Sequence, residues 1–134
     1  MKKFLFLVFT IGVTLFSSCS LGSKKDDPGL LAASTAKGYY DLLLEGKYEE
    51  YVNGLYKPDT IPNEYRRQLV ANAKMFVQQM KDEHKGMDNV RILDCKADTS
   101  MHVANVFLVL SFDDNTVEEI VVPMVEVKGK WWMR

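Results

Sequence analysis

The sequence predicts an α+β domain in which three N-terminal helices pack on one face of a curved, four-stranded antiparallel sheet. Apolar side chains recur every three or four residues before Gly86 and every second residue after it, which indicates a change from helix to strand. The predicted strands are joined by short connections, as antiparallel hairpins require. The chain has 134 residues, a length that suits one domain.

Three helices are predicted before the sheet. In residues 29–45 the apolar positions fall on one helical face, and Gly46 ends the run. Residues 47–55 form a second, shorter helix, because Pro58 lies just beyond them. A third helix is expected in residues 62–84, where a proline in the first turn precedes a long apolar stripe.

Four strands are predicted after the helices. They are rich in β-branched and aromatic residues and span residues 90–97, 102–112, 117–127 and 131–133. Pairing Phe112 with Val117 across the second turn sets a register that places Glu119 opposite Leu110, on the face toward the helices. Leu93 and Trp131 are expected on this same inner face.

The predicted outer face is apolar in its middle, although an antiparallel sheet covered on one side normally carries polar residues on the other. We interpret it as a partner surface, for a second copy of the chain or another envelope protein. The alternative is that the N-terminal tether or a long loop covers it. The candidate interface residues are Asn105, Phe107, Val109, Ile120, Val122, Met124 and Trp132.

The N-terminus has the layout of a signal peptide. Lys2 and Lys3 precede an apolar run in residues 4–16, which is too short to span a bilayer. Small residues then lead to Cys19, and this segment resembles the bacterial lipobox, in which a lipid-modified cysteine becomes the mature N-terminus. The alternative is an ordinary secretory signal cleaved near Ser18.

These features divide the chain into three parts. Residues 1–18 are a predicted lipoprotein signal peptide, residues 19–28 carry the lipidated Cys19 and a polar, flexible tether, and residues 29–134 form the domain. Lys-Asp-Asp in the tether resembles export tags of surface-displayed Bacteroidetes lipoproteins, although a plain solvated linker explains it equally well. We therefore expect lipid anchoring in the cell envelope, at the outer membrane, facing either the periplasm or the outside.

Composition and spacing argue against several functions. The formal net charge is -1, from 17 Lys+Arg and 18 Asp+Glu, so the concentrated basic charge that nucleic acid requires is missing. His84, His102 and Cys95 have no metal-ligand spacing, and no metal or cofactor is expected.

Two short motifs carry a family resemblance. Gly-Lys-Tyr-Glu-Glu-Tyr in residues 46–51 and Gly-Lys-Trp-Trp in residues 129–132, on three helices followed by a sheet, resemble the nuclear-transport-factor-like (cystatin-like, SnoaL-like) cone, and within it the lumazine-binding-like lipoprotein branch. That resemblance implies a pocket between helices and sheet, frequent dimerisation through the sheet, and either catalytic or purely binding members. It also implies a strand between the second and third helices, which residues 55–61 do not show.

The candidate site follows from this expected pocket. An enzyme would place an acid or base on the helix-facing side of the sheet, where Glu119 is expected and His102 begins the face. Tyr39, Tyr40 and Tyr65 could rim a pocket there, whereas the simpler interpretations are a solvated Glu119, a solvated His102 and tyrosines in the core.

We therefore expect a lipid-anchored, non-catalytic binding or interaction module. It would hold a small apolar ligand between helices and sheet, or a protein partner, such as a second copy, on the outer face. The alternative is an isomerase- or hydrolase-like enzyme that uses Glu119 or His102.

Overall fold

The structure is a computed structural model that describes residues 27–134. The predicted signal peptide, Cys19 and all but the last two residues of the predicted tether lie outside the described residues. Three helices are followed by four strands: α1 (Pro28–Leu44), α2 (Tyr48–Asn53), α3 (Asn63–His84), β1 (Met87–Asp98), β2 (Val103–Phe112), β3 (Val117–Val127) and β4 (Lys130–Met133). The strands form one antiparallel sheet in the order β1-β2-β3-β4. The predicted α+β class and strand order are thus confirmed.

Helix α1 begins earlier than the predicted domain boundary at residue 29. The Asp27 carboxylate accepts the backbone N–H of Gly29 at 2.8 Å, and Pro28 occupies the first turn, where a missing N–H costs nothing. Asp27 and Pro28 therefore belong to the domain and not to the tether. Small buried residues on α1, including Ala32 and Ala36, let the helix lie close to the sheet.

The end of α3 is fixed to the turn between β2 and β3. The His84 ring stacks on the Phe112 ring with centroids 4.2 Å apart, and His84 Nδ1 lies 3.1 Å from Asp114 Oδ2. The Thr116 hydroxyl and backbone N–H both donate to the Asp114 carboxylate. The hydrogen bond from the Thr116 hydroxyl is the main reason that the pKa of Asp114 lies below its usual range. The Thr116 backbone N–H and His84 lower this pKa further. This turn therefore carries a charged carboxylate at neutral pH.

The register between β2 and β3 differs by one residue from the predicted one. Val109 pairs with Glu119, and Phe112 closes the hairpin by donating its N–H to the Thr116 carbonyl at 3.0 Å. The loop therefore has three residues instead of four, and its last residue, Asn115, takes the left-handed conformation with φ 70°. Because strand side chains alternate, this shift exchanges the two faces of β3.

The inner face consequently carries different β3 side chains from the predicted ones. Ile120, Val122 and Met124 point toward the helices, while Glu119 and Val121 lie on the outer face. The side chains that meet the helices from the sheet are Val90, Ile92, Ala104, Val106, Leu108, Leu110, Phe112, Ile120, Val122, Met124, Trp131 and Met133.

A bulge in β1 overturns a second inner-face prediction. The pairing with β2 shifts between Ile92 and Asp94, and Leu93 is 48% exposed instead of buried. Cys95 returns to the inner face, where it pairs with Val106 and is buried.

The segment after α2 pairs with β4 over a single bridge, where the sequence showed no strand. Leu55 forms a parallel bridge with Met133; the Tyr56 N–H donates to the Met133 carbonyl at 2.6 Å, and the Met133 N–H donates to the Gly54 carbonyl at 2.8 Å. These bonds attach the start of the α2–α3 loop to the free edge of β4.

Among the described residues, no helix is both long enough and apolar enough to cross a membrane.

Candidate functional site

The tyrosines predicted to rim a pocket lie in three separate places. Tyr40 and Tyr51 meet edge to face with ring centroids 5.8 Å apart, and burial raises the pKa of each phenol. The Tyr39 ring lies over Gly54, whereas Tyr65 is 53% exposed on α3. The space between helices and sheet is filled by the core side chains, so these residues do not form the predicted pocket.

The two candidate acid–base residues are both open to water. Glu119 is exposed on the outer face, where it pairs with Val109 instead of Leu110 because of the register shift. His102 lies in the β1–β2 turn with φ 57°, and its side chain is 65% exposed with Nδ1 3.2 Å from Glu126 Oε1. Neither side chain lies in the dry surroundings that a pocket acid or base would need.

The outer face keeps part of the predicted interface. Asn105, Phe107 and Trp132 lie on it, and the Lys96 ammonium lies 5.6 Å from the Phe107 ring centroid. Val109 is on the same side of β2 but is only 3% exposed. Ile120, Val122 and Met124 do not lie on the outer face, because they point into the core. The β3 side chains that take their place are Val117, Val121, Pro123 and Val125.

A cleft of about 860 Å³ lies at the end of the sheet where the loop from α2 to α3 approaches the hairpin between β3 and β4. Its size is within the range of small-molecule sites. One wall comes from the end of α2, the following loop and the start of α3, and the other from the hairpin and β4. The lining residues are Asn53, Leu55, Tyr56, Lys57, Pro58, Asp59, Thr60, Ile61, Asn63, Arg66, Val127, Lys128, Lys130 and Trp132.

The cleft has an excess of positive charge over an apolar and aromatic wall. Lys57, Arg66, Lys128 and Lys130 contribute four cations, against the single carboxylate of Asp59. This local excess of +3 contrasts with the net charge of -1 of the whole chain. An arrangement of this kind favours a ligand that carries negative charge.

Lys57 is held in place by the last turn of α2. Its Nζ donates to the carbonyl of Val52 in that turn at 2.8 Å and to the carbonyl of Leu55, just beyond the helix, at 2.7 Å. Burial, and then the nearby positive charge of Arg66, lower the pKa of Lys57. An ammonium has three donors, so one remains for another acceptor.

The hairpin supplies the other two cations from a strained turn. Lys128 and Gly129 both have positive φ, 54° and 77°, as a two-residue type I′ turn requires. A lysine in this conformation costs roughly 1 kcal/mol, which asparagine or glycine would largely avoid. Lys130 Nζ lies 4.3 Å from the Trp132 ring centroid and so covers one face of that ring.

Only parts of this cleft can be recognised from the sequence. Lys128-Gly129-Lys130 is recognisable as a turn, and residues 55–61 as a proline-containing connection. Their proximity depends on the parallel bridge between Leu55 and Met133, which has no short-range sequence signal. Within residues 27–134, no group of three or more His, Cys, Asp or Glu side chains could hold a metal ion.

Three helices against a curved antiparallel sheet, with a cleft at its end, define an α+β cone of the nuclear-transport-factor-like class, as the resemblance implied. The fold is similar to a crystal structure from Campylobacter jejuni described as an NTF2-like transpeptidase, with a TM-score of 0.55 and 15% sequence identity over 75% of this chain and 94% of the other. Comparison by sequence finds no matching family model and no matching curated relative. At this identity the likeness establishes the fold and leaves the function to the site.

Proposed function

We propose that this protein is a lipid-anchored protein of the bacterial outer membrane, and that its domain binds an anionic ligand in the cleft without transforming it. The anchoring is supported by the lipobox-like sequence that ends at Cys19, after Lys2, Lys3 and a short apolar run. The observation that carries the binding role is the cluster of four cations around the aromatic wall of the cleft.

An enzymatic role is the alternative, and the name of the Campylobacter jejuni structure mentions a transpeptidase. Acid–base chemistry would need a carboxylate or imidazole in a dry pocket beside the substrate. The exposed positions of Glu119 and His102 favour binding over isomerase- or hydrolase-like catalysis.

Exposed apolar side chains favour a second interaction, with a protein partner on the outer sheet face. Leu93, Val117 and Val121 are each about half exposed on or beside this face. The partner would be a second copy of the chain or another envelope protein. Trp132 belongs both to this face and to the cleft, so the two interaction surfaces meet at that side chain.

We expect Cys19→Ser to abolish lipid attachment, since only the thiol can carry the acyl-glycerol group. In cells fed an alkyne-tagged fatty acid, the wild-type band should be labelled and retained in the membrane fraction, and the variant should be neither. Ser23→Ala, in the same polar segment, should behave as the wild type. Labelling that survives Cys19→Ser would refute the lipid anchor.

We expect the cleft to bind 2-naphthoate, a probe with one carboxylate on an aromatic body. Calorimetric titration of the full-length protein in detergent should give a Kd below about 1 mM, equivalent to about 4 kcal/mol. The double substitution Lys128→Asn and Lys130→Gln should weaken binding, because it removes the hairpin cations while keeping a residue that suits the turn.

Lys96→Gln serves as the matched control, because it removes a cation from the outer face and leaves the cleft intact. Its affinity should equal that of the wild type. Failure of the wild type to bind 2-naphthoate, or equal loss in the control, would contradict the anionic-ligand cleft.

A further inference from the structure

The structure assigns a single oxyanion subsite to the helical wall of the cleft: we propose that Lys57 Nζ and the Arg66 guanidinium together hold one carboxylate or phosphate group of the ligand. This inference rests on the proposed binding function and names the part of the ligand that the cleft recognises. The aromatic or apolar remainder of the ligand would lie along Tyr56 and Trp132.

Both cations are bonded to the same short stretch of chain, residues 52–55. Lys57 Nζ is bonded to the carbonyls of Val52 and Leu55, and Arg66 Nη2 donates to the Asn53 side-chain oxygen. Both side chains line the cleft. The end of α2 therefore brings two like charges together and fixes their positions.

Neither cation is neutralised by an ion pair at hydrogen-bond distance. Arg66 Nε lies 3.7 Å from the carboxylate of Glu49, which is itself largely exposed to water. Asp59 also lines the cleft, but no ion pair within 4.0 Å links it to a cation in the described part of the chain. The guanidinium has five N–H donors and the ammonium three, so both keep donors for a ligand.

An oxyanion is the kind of group that these two neighbouring cations would bind best. Two nearby cations repel each other, and the lowered pKa of Lys57 reflects its burial first and then that repulsion. A carboxylate or phosphate between them would accept charge-assisted hydrogen bonds from both and offset the repulsion. Arginine contributes a planar fork that matches either group, and lysine contributes a point charge.

The test compares three naphthalene probes on the full-length protein in detergent. Because 2-naphthoate, 2-naphthyl phosphate and 2-naphthol share one aromatic body, their affinities isolate the charged group. We expect one or both of the oxyanions to bind at least about tenfold more tightly than 2-naphthol, and the tighter oxyanion identifies the natural group. Equal affinity of all three probes would overturn the oxyanion subsite.

Substitutions then locate the group within the cleft. Arg66→Gln and Lys57→Met should each weaken binding of the tighter oxyanion about tenfold, and the double variant should lose less than the product of the two, because one group contacts both cations. Arg67→Gln is the matched control, because Arg67 is next to Arg66 on α3 but does not line the cleft. The affinity of this variant should be unchanged.

A conservative variant separates recognition from folding. Arg66→Lys keeps the charge, so it should bind more tightly than Arg66→Gln while both variants have the same melting temperature. This comparison does not involve Lys57, so it holds even if Lys57→Met loosens the end of α2. If Arg66→Gln binds as the wild type while the hairpin double variant is weakened, the oxyanion lies on the hairpin side; the subsite is then wrong although the binding function stands. Absence of any binding to the wild type would instead reject the binding function.

Discussion

Val122→Asp should unfold the domain or leave it barely stable. Val122 is 3% exposed on the inner face of β3, where it pairs with Val106 in the core. An uncompensated buried charge costs about 3–5 kcal/mol. Small domains have a total stability of about 5–15 kcal/mol, so a domain near the lower end of that range would lose most of its stability. Urea unfolding followed by circular dichroism measures the loss.

The neighbouring substitution Val121→Asp is the matched control. Val121 is 53% exposed on the outer face, so its change should alter stability by no more than about 0.5 kcal/mol. The predicted register would have reversed the two results, because it placed Val121 inside and Val122 outside. A stable Val122→Asp protein beside an unfolded Val121→Asp protein would therefore contradict the observed register. Sedimentation of Val121→Asp and the wild type also tests the outer face. If the wild type dimerises through this face, Val121→Asp should dimerise more weakly.

Gly54→Ala should destabilise the domain because the new methyl group would overlap the Tyr39 ring. A Cβ atom at Gly54 would lie 2.3 Å from Tyr39 Cε1, far inside van der Waals contact. Overpacking of this type typically costs about 1–3 kcal/mol. Each kcal/mol lowers Tm by about 4–8 °C in a domain of 60–100 residues, so thermal unfolding should show a clear shift.

Gly38→Ala provides the opposite expectation in the same domain. Gly38 is exposed within α1, and no atom lies within 4 Å of a Cβ placed there. Replacing a helical glycine by alanine stabilises by roughly 0.5–1 kcal/mol. The cost of Gly54→Ala should also shrink in a Tyr39→Ala background, where the clash is gone. An unchanged cost there would show that the methyl group meets something other than Tyr39.

The helices and strands were predictable because their signals are local. Helix bounds agree within two residues for α1, α2 and α3, since Gly46, Pro58 and Gly86 interrupt the helical pattern near each end. Strand bounds agree within one residue except at the start of β1. Strand β1 begins at Met87, three residues before the predicted start, because its first residues are mostly polar and exposed.

The register error has a recognisable cause. The turn Asp113-Asp114-Asn115-Thr116 allows a three- or a four-residue loop, and the choice depends on Asn115 taking positive φ. Asparagine tolerates that conformation better than most residues, which is a signal for the shorter loop. The shorter loop also buries three large apolar residues of β3 and leaves Glu119 in water, so burial and turn chemistry favour the same register.

The candidate cleft was beyond the reach of the sequence. Lys57 and Lys130 are more than 70 positions apart, and they share a cleft only because Leu55 bridges Met133 at the free edge of β4. The residues expected to form a pocket do not come together, for the same reason. Tyr39, Tyr40 and Tyr65 share a chemistry, but the packing of α1, α2 and α3 separates them.

The sequence by itself determined the α+β class, the order of the elements and the expectation of lipid anchoring at Cys19. Periodicity, turn residues and N-terminal layout act over a few residues, so they can be seen without knowing what else is nearby. The tertiary structure decided which face of β3 is buried and where positive charge collects. Both depend on contacts between distant segments, and a shift of one residue in a hairpin is enough to exchange core and surface.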